Sequence, residues 1–107
     1  MRFVFRETSV FTRQATGLLS DDELNALQWA LMGDPTCGEL IRGSGGLRKM
    51  RWAGSGRGKR GGLRVIYYWN VPGDTILLLL AYPKSEQDNL TQEQLKILKS
   101  IIDTEYP

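Results

Sequence analysis

Two rhythms of apolar and polar residues run along this chain, one of helical period and one of strand period. Phe3-Val4-Phe5 is a short candidate strand, and the polar segment from Thr8 to Thr16 is compatible with a short helix. The next helix is signalled strongly. Ser20 followed by Glu23 makes a capping box, with Leu19 and Leu24 at the hydrophobic-staple positions. Asp21 and Asp22 suit the positive end of its dipole. Leu24, Leu27 and Leu31 form one stripe and Gly33-Asp34-Pro35 ends it, which predicts a helix over 21–32. The same signature returns near the C-terminus. Thr91 with Gln94 is a capping box, Leu90 with Leu95 a staple, and Leu95, Leu98 and Ile102 the packing stripe.

Between these helices the period shortens to two. In Leu47-Arg48-Lys49-Met50-Arg51-Trp52-Ala53, Met50 and Trp52 point one way while Lys49 and Arg51 point the other. Residues 54–62 are a connection of glycine and cations, and the strand from Leu63 to Trp69 then places Arg64, Ile66 and Tyr68 together. These two strands predict a hairpin with a mobile basic tip. Val71-Pro72-Gly73-Asp74 is turn chemistry before a third strand, Thr75 to Tyr82. Its apolar run, Ile76 to Ala81, is less than half of what a bilayer requires and predicts a buried strand. The order β-α-α-β-β-β-α predicts an α+β fold, a small antiparallel sheet with helices packed on one face. With 107 residues, 1–107 is one domain with one core.

Charge changes the picture. The net charge is only +2, yet Arg42, Arg48, Lys49, Arg51, Arg57, Lys59, Arg60 and Arg64 form a block of eight cations without an acidic residue. Of 14 basic residues six then remain to face all 12 acidic ones, so the rest of the chain carries −6. Such a run is commonly a solvated loop. Its interleaving with strand formers, and with Trp52, Tyr67, Tyr68 and Trp69, points instead to a polyanion, RNA and DNA alike. The N-terminus reaches charge before any signal-peptide core develops, so a cytoplasmic protein is expected. Cys37 is the only cysteine, which fits a reducing compartment, and it is expected as a small buried or half-buried residue.

The chain has no histidine. A Ser-His-Asp triad, a Cys-His pair and the usual zinc sites are therefore excluded, and neither a metal nor a cofactor is expected. Gly56-Arg57-Gly58-Lys59-Arg60-Gly61 matches G-x-G-x-x-G but lies between strands, where no helix can receive a dinucleotide. Glu86 and Asp88 beside the last helix are expected to cap it or to be solvated. RNA remains as a substrate that cations can cleave, because it carries its own nucleophile, the 2′-hydroxyl. Cleavage needs in-line geometry, neutralisation of the phosphorane-like transition state, and a proton acceptor and donor. Arginine suits the phosphate oxygens, and a lysine crowded by other cations gives up its proton more readily. Each contribution is worth ~10²–10³ in rate, so such an enzyme is slow unless something else orients the RNA.

Four segments carry a resemblance: Gly45 to Ala53, Gly56 to Gly62, Arg64-Val65-Ile66-Tyr67-Tyr68, and Ala81-Tyr82-Pro83-Lys84-Ser85-Glu86 with Asn89-Leu90-Thr91. Together they closely resemble HigB-like toxins of the RelE/ParE superfamily of type II toxin–antitoxin systems, over nearly the whole chain. The resemblance implies a RelE-like fold and an mRNA endoribonuclease that enters the ribosomal A site, where the ribosome does the orienting. It implies a cognate HigA-like helix-turn-helix antitoxin as partner, and no membrane. The family's basic pair falls on Lys49 and Arg51 and its strand arginine on Arg64, for transition-state stabilisation, with Lys49 a proton-transfer candidate. Arg48, Arg57, Lys59 and Arg60 are implied RNA or ribosome contacts and Lys84 a further phosphate ligand. RelE has an arginine and then a tyrosine after its last strand, where this chain has Ser85 and Leu90; Tyr82 is the candidate replacement, or a tyrosine at the core edge. ParE-like relatives share the fold and inhibit DNA gyrase, and a non-catalytic RNA-binding module is the other rival.

Overall fold

A strand that is apolar at every position needs cover on both faces and both edges, and the run Ile76 to Ala81 receives all four. In the computed structural model, which describes residues 2–53 and 62–107, it belongs to β5 (Thr75–Pro83). The other elements are β1 (Val4–Glu7), α1 (Ser9–Leu18), α2 (Asp21–Gly33), β2 (Glu39–Leu40), β3 (Leu47–Trp52), β4 (Leu63–Asn70) and α3 (Gln92–Glu105). One five-stranded sheet has the order β1-β5-β4-β3-β2. The meander β3-β4-β5 is antiparallel as expected, but β1 joins β5 in parallel, with Val4 beside Thr75 and Glu7 beside Leu78, so the sheet is mixed.

The expectation that the helices share one face is corrected. Phe11, Ala15 and Leu19 of the α1 region and Leu27 and Leu31 of α2 pack with Met50, Leu63, Val65, Tyr67, Ile76, Leu78 and Ala81. Leu98 and Ile102 of α3 pack with Leu47, Ile66, Leu77, Leu79 and Tyr82 on the opposite face. The cause is the all-apolar β5, which would leave leucines in water if helices covered one side only.

Local signals fix the helix starts. The Ser20–Glu23 and Thr91–Gln94 capping boxes both form. Thr8 caps α1 by accepting from the Phe11 amide at 3.0 Å while its hydroxyl donates to the Leu79 carbonyl at 2.8 Å, tying helix to strand. The register of β4 and β5 shifts once. Ile66 pairs with Leu80 and Tyr67 with Leu78, leaving Leu79 as an extra residue. Before this bulge Ile76 and Leu78 face α1 and α2; after it Ala81 does so, and Tyr82 points to the α3 face.

Aromatic residues of the strands serve the cores. Tyr67 is fully buried, its hydroxyl donating to the Pro35 carbonyl at 2.7 Å and accepting from the Gly38 amide at 2.9 Å. Trp52 and Trp69 pack against the same core, and Tyr68 stacks on Tyr106. Strand parity turns Tyr67, Trp69 and Trp52 away from Lys49, Arg51 and Arg64, so their expected place beside a polyanion is corrected. Cys37 is exposed, contrary to expectation, because it lies in the segment leading to the edge strand β2. Among the described residues, no helix is long and apolar enough to cross a membrane.

Candidate functional site

Strand alternation puts Lys49 and Arg51 on one face of β3, as expected, and it is the face on which α3 packs. Register then assembles the site. Arg51 lies opposite Arg64, and Arg64 opposite Tyr82, so three strands contribute one row, with neighbours about 4.8 Å apart in the direction of the strand hydrogen bonds. Gly62 opens β4 at φ +61°, and a side chain there would strike the Trp52 carbonyl. Only glycine lets β4 begin so close to the end of β3.

Like charges directly across a sheet are unfavourable, so the row is not an arrangement that folding alone would select. Arg51 is exposed, whereas Arg64 is 3% exposed. The Arg64 Nε donates to Asp88 Oδ1 at 3.1 Å. Lys49 is half-buried and its Nζ donates to Asn89 Oδ1 at 2.7 Å. Lys84 is exposed just past β5, where its amide donates to the Gly62 carbonyl at 3.1 Å. Partial burial pushes the Asp88 carboxyl up, but its hydrogen bond to Arg64 and the charges of Arg64, Lys49 and Lys84 outweigh this and hold it below the usual aspartate value. Lys49, Arg64, Lys84 and Asp88 thus form one electrostatic neighbourhood. The Tyr82 hydroxyl donates to the Asp88 carbonyl at 3.2 Å, and burial raises its pKa despite the opposing charge of Arg64.

Other candidate residues lie apart. Arg48 alternates to the opposite face of β3, where its guanidinium donates to the carbonyls of Gly38 at 2.8 Å and Thr36 at 3.3 Å. Arg57, Lys59 and Arg60, with the expected hairpin tip, lie outside the described residues. A cleft of about 600 Å³ opens beside Lys49 and Arg51, walled by residues 36–40. Sequence reasoning missed Asp88 and Asn89. Asp88 was expected to cap α3 or to be solvated, but Thr91 caps that helix and Asp88 turns to Arg64. Their only sequence signal was an acceptor pair in the connection that must return the chain from β5 to α3.

Two strands, and Lys84 just past a third, thus present cations that can neutralise a phosphodiester, with carboxylate and amide acceptors beside them. This fold is that of the RelE toxins. The chain is similar to RelE in the intact Escherichia coli RelBE toxin–antitoxin complex, with a TM-score of 0.59 and 12% identity over 77% of this chain and 96% of that one. The isolated E. coli RelE toxin gives 0.59 and 12% over 94% and 99% of the two chains. The archaeal RelE–RelB complex of Pyrococcus horikoshii OT3 gives 0.55 and 19% over 78% and 97%. Residues 3–105 match the family model described as the RelE toxin of the RelE/RelB toxin–antitoxin system, and the chain belongs to that family.

Proposed function

We propose that this toxin is a HigB-like, ribosome-dependent endoribonuclease that cuts messenger RNA in the A site without a metal ion. The observation that carries this reading is the row Arg51–Arg64–Tyr82 with Lys49 beside it, a cation-rich strip of sheet that folding alone would not favour. The scissile phosphate lies over Lys49, Arg51 and Arg64. The 2′-oxygen forms a bond to phosphorus as the bond to the 5′-oxygen breaks, leaving a 2′,3′-cyclic phosphate upstream and a 5′-hydroxyl downstream. Arg51 and Arg64 stabilise the added charge on the phosphoryl oxygens, Lys49 moves a proton, and Lys84 binds a flanking phosphate. Tyr82, buried and committed to the Asp88 carbonyl, flanks Arg64 on the neighbouring strand. Arg48, Arg57, Lys59 and Arg60 contribute contacts to RNA, and the ribosome supplies the orientation that a histidine-free site lacks. The toxin works in the cytoplasm, held in check by a HigA-like helix-turn-helix antitoxin; its structural neighbours in E. coli and P. horikoshii were crystallised with RelB.

The test is translation of a defined message on ribosomes with and without the protein, with 5′ ends mapped by primer extension. New ends within the A-site codon, absent with naked RNA, are expected. An intact message with normal translation would overturn the reading in favour of gyrase inhibition or simple RNA binding.

A further inference from the structure

Strand register fixes where the Arg64 backbone lies, not where its guanidinium points. The side chain has four rotatable bonds, and Arg51 directly across the ladder repels it. The connection between β5 and α3 supplies one constraint, beside the bond from Arg64 Nη1 to the Leu63 carbonyl at 3.5 Å. Asp88 Oδ1 accepts from Arg64 Nε at 3.1 Å, which fixes the plane of the guanidinium. Asp88 is itself held, because its carbonyl accepts from the Tyr82 hydroxyl at 3.2 Å, and Tyr82 is the register partner of Arg64 on the neighbouring strand. Arg64, Asp88 and Tyr82 therefore close a circuit: side chain to carboxylate, peptide to hydroxyl, strand to strand. The pair also neutralises a buried charge, since the Arg64 side chain is 4% exposed, while the Asp88 side chain, 53% exposed, reaches it from the surface. The start of α3 is already secured by its own capping box.

We propose that Asp88 is a positioning residue for Arg64: it holds the guanidinium in the orientation in which it meets the scissile phosphate. This rests on the nuclease reading above. Asp88 touches no reacting atom; it acts through Arg64, and its carboxylate keeps its proton-free form by the proximity of Arg64, Lys49 and Lys84.

The experiment is single-turnover cleavage of message on programmed ribosomes by the wild type, Asp88→Ala and Asp88→Asn, with thermal unfolding of each. Asp88→Ala is expected to lower the rate at saturating ribosomes by about 10²-fold, the effect of a misdirected catalytic group, with little change in the half-saturating concentration. Asp88→Asn keeps an oxygen that accepts from Nε and is expected to stay within about tenfold of wild type, since a neutral acceptor gives roughly half the strength of a charged one. Asp88→Ala takes the carboxylate from a buried guanidinium and is expected to lower the unfolding temperature more than Asp88→Asn, so the rates are compared well below the transition of each variant. Wild-type rates in Asp88→Ala would overturn the proposal. Faster cleavage would overturn it too, by making Asp88 a competitor of the phosphate, as would a change in half-saturation alone. An Asp88→Asn variant as slow as Asp88→Ala would overturn positioning by hydrogen bonding and make the carboxylate charge itself the working element. A wild type that does not cut would instead remove the nuclease reading, and the positioning role with it.

Discussion

Arg64 combines near-complete burial with a charge, and lysine cannot reproduce what it does there. A lysine keeps the charge and loses the planar fork, so Arg64→Lys is expected to cut messenger RNA at least tenfold more slowly while folding normally. Cleavage rate and far-ultraviolet circular dichroism on the same preparation check this. Asp88 gives a pH signature. Its folded-state pKa lies below the ordinary value, so the pair with Arg64 supports the fold above the normal aspartate range and is lost as pH falls through the depressed value. Carboxyl NMR should find Asp88 titrating below an unperturbed aspartate, and rising towards the usual value in Arg64→Ala. Tyr67 is a purely architectural case. Tyr67→Phe leaves the Gly38 amide and Pro35 carbonyl without their shared hydroxyl, an expected loss of about 1–3 kcal/mol in urea unfolding. That Lys49 and Arg51 share a face was legible from alternation, because parity is local; their grouping with Arg64 as site candidates came from the family resemblance. Asp88 and Asn89 were not legible, since their partners lie 24 and 40 residues away and depend on how one connection crosses the sheet.

The helices owe their starts to short-range chemistry, and this made them legible to within a residue or two. Thr91→Ala removes the acceptor for the Gln94 amide and should lower stability by about 1 kcal/mol, measured by thermal or urea unfolding. β2 offered no such signal. Two residues cannot display an alternation, and Glu39 and Leu40 become a strand only because Lys49 and Arg48 offer them a ladder. β1 was visible as Phe3-Val4-Phe5, but its direction follows from the vacant edge of β5, which no local pattern announces. The continuous apolar run in β5 did imply cover on both faces. Placing every helix on one side contradicted that run, and α3 on the far side resolves it.

At the scale of the whole molecule, eight cations are concentrated between residues 42 and 64 and the rest of the chain carries −6. Under the proposed function, association with ribosomal RNA through these cations is expected to weaken steeply with salt. Replacing Arg57, Lys59 and Arg60 with glutamine should flatten that dependence by roughly 0.7–0.9 in log–log slope for each phosphate that is no longer neutralised, and raise the ribosome concentration needed for half-maximal cleavage. Filter binding across a salt series measures both. The opposite end of the sheet is fastened by other means. Arg6 donates to Glu105 at 2.9 Å and to the Tyr106 hydroxyl at 3.0 Å, while Tyr106 stacks on Tyr68 at 5.5 Å, pinning the end of α3 to β1 and β4.

Leu79 looks like the least informative residue in a row of leucines, yet as the surplus residue of the bulge it is a half-period slip in an otherwise regular wave. Upstream of it β5 keeps time with α1 and α2; downstream the beat is reversed, and an odd-even count made from the start of the strand assigns Tyr82 to the wrong side. The cation-bearing end of the sheet and its supporting end are thus tuned separately. A one-residue insertion or deletion between them would exchange what meets α1 and α2 with what meets the α3 side along the whole of one end.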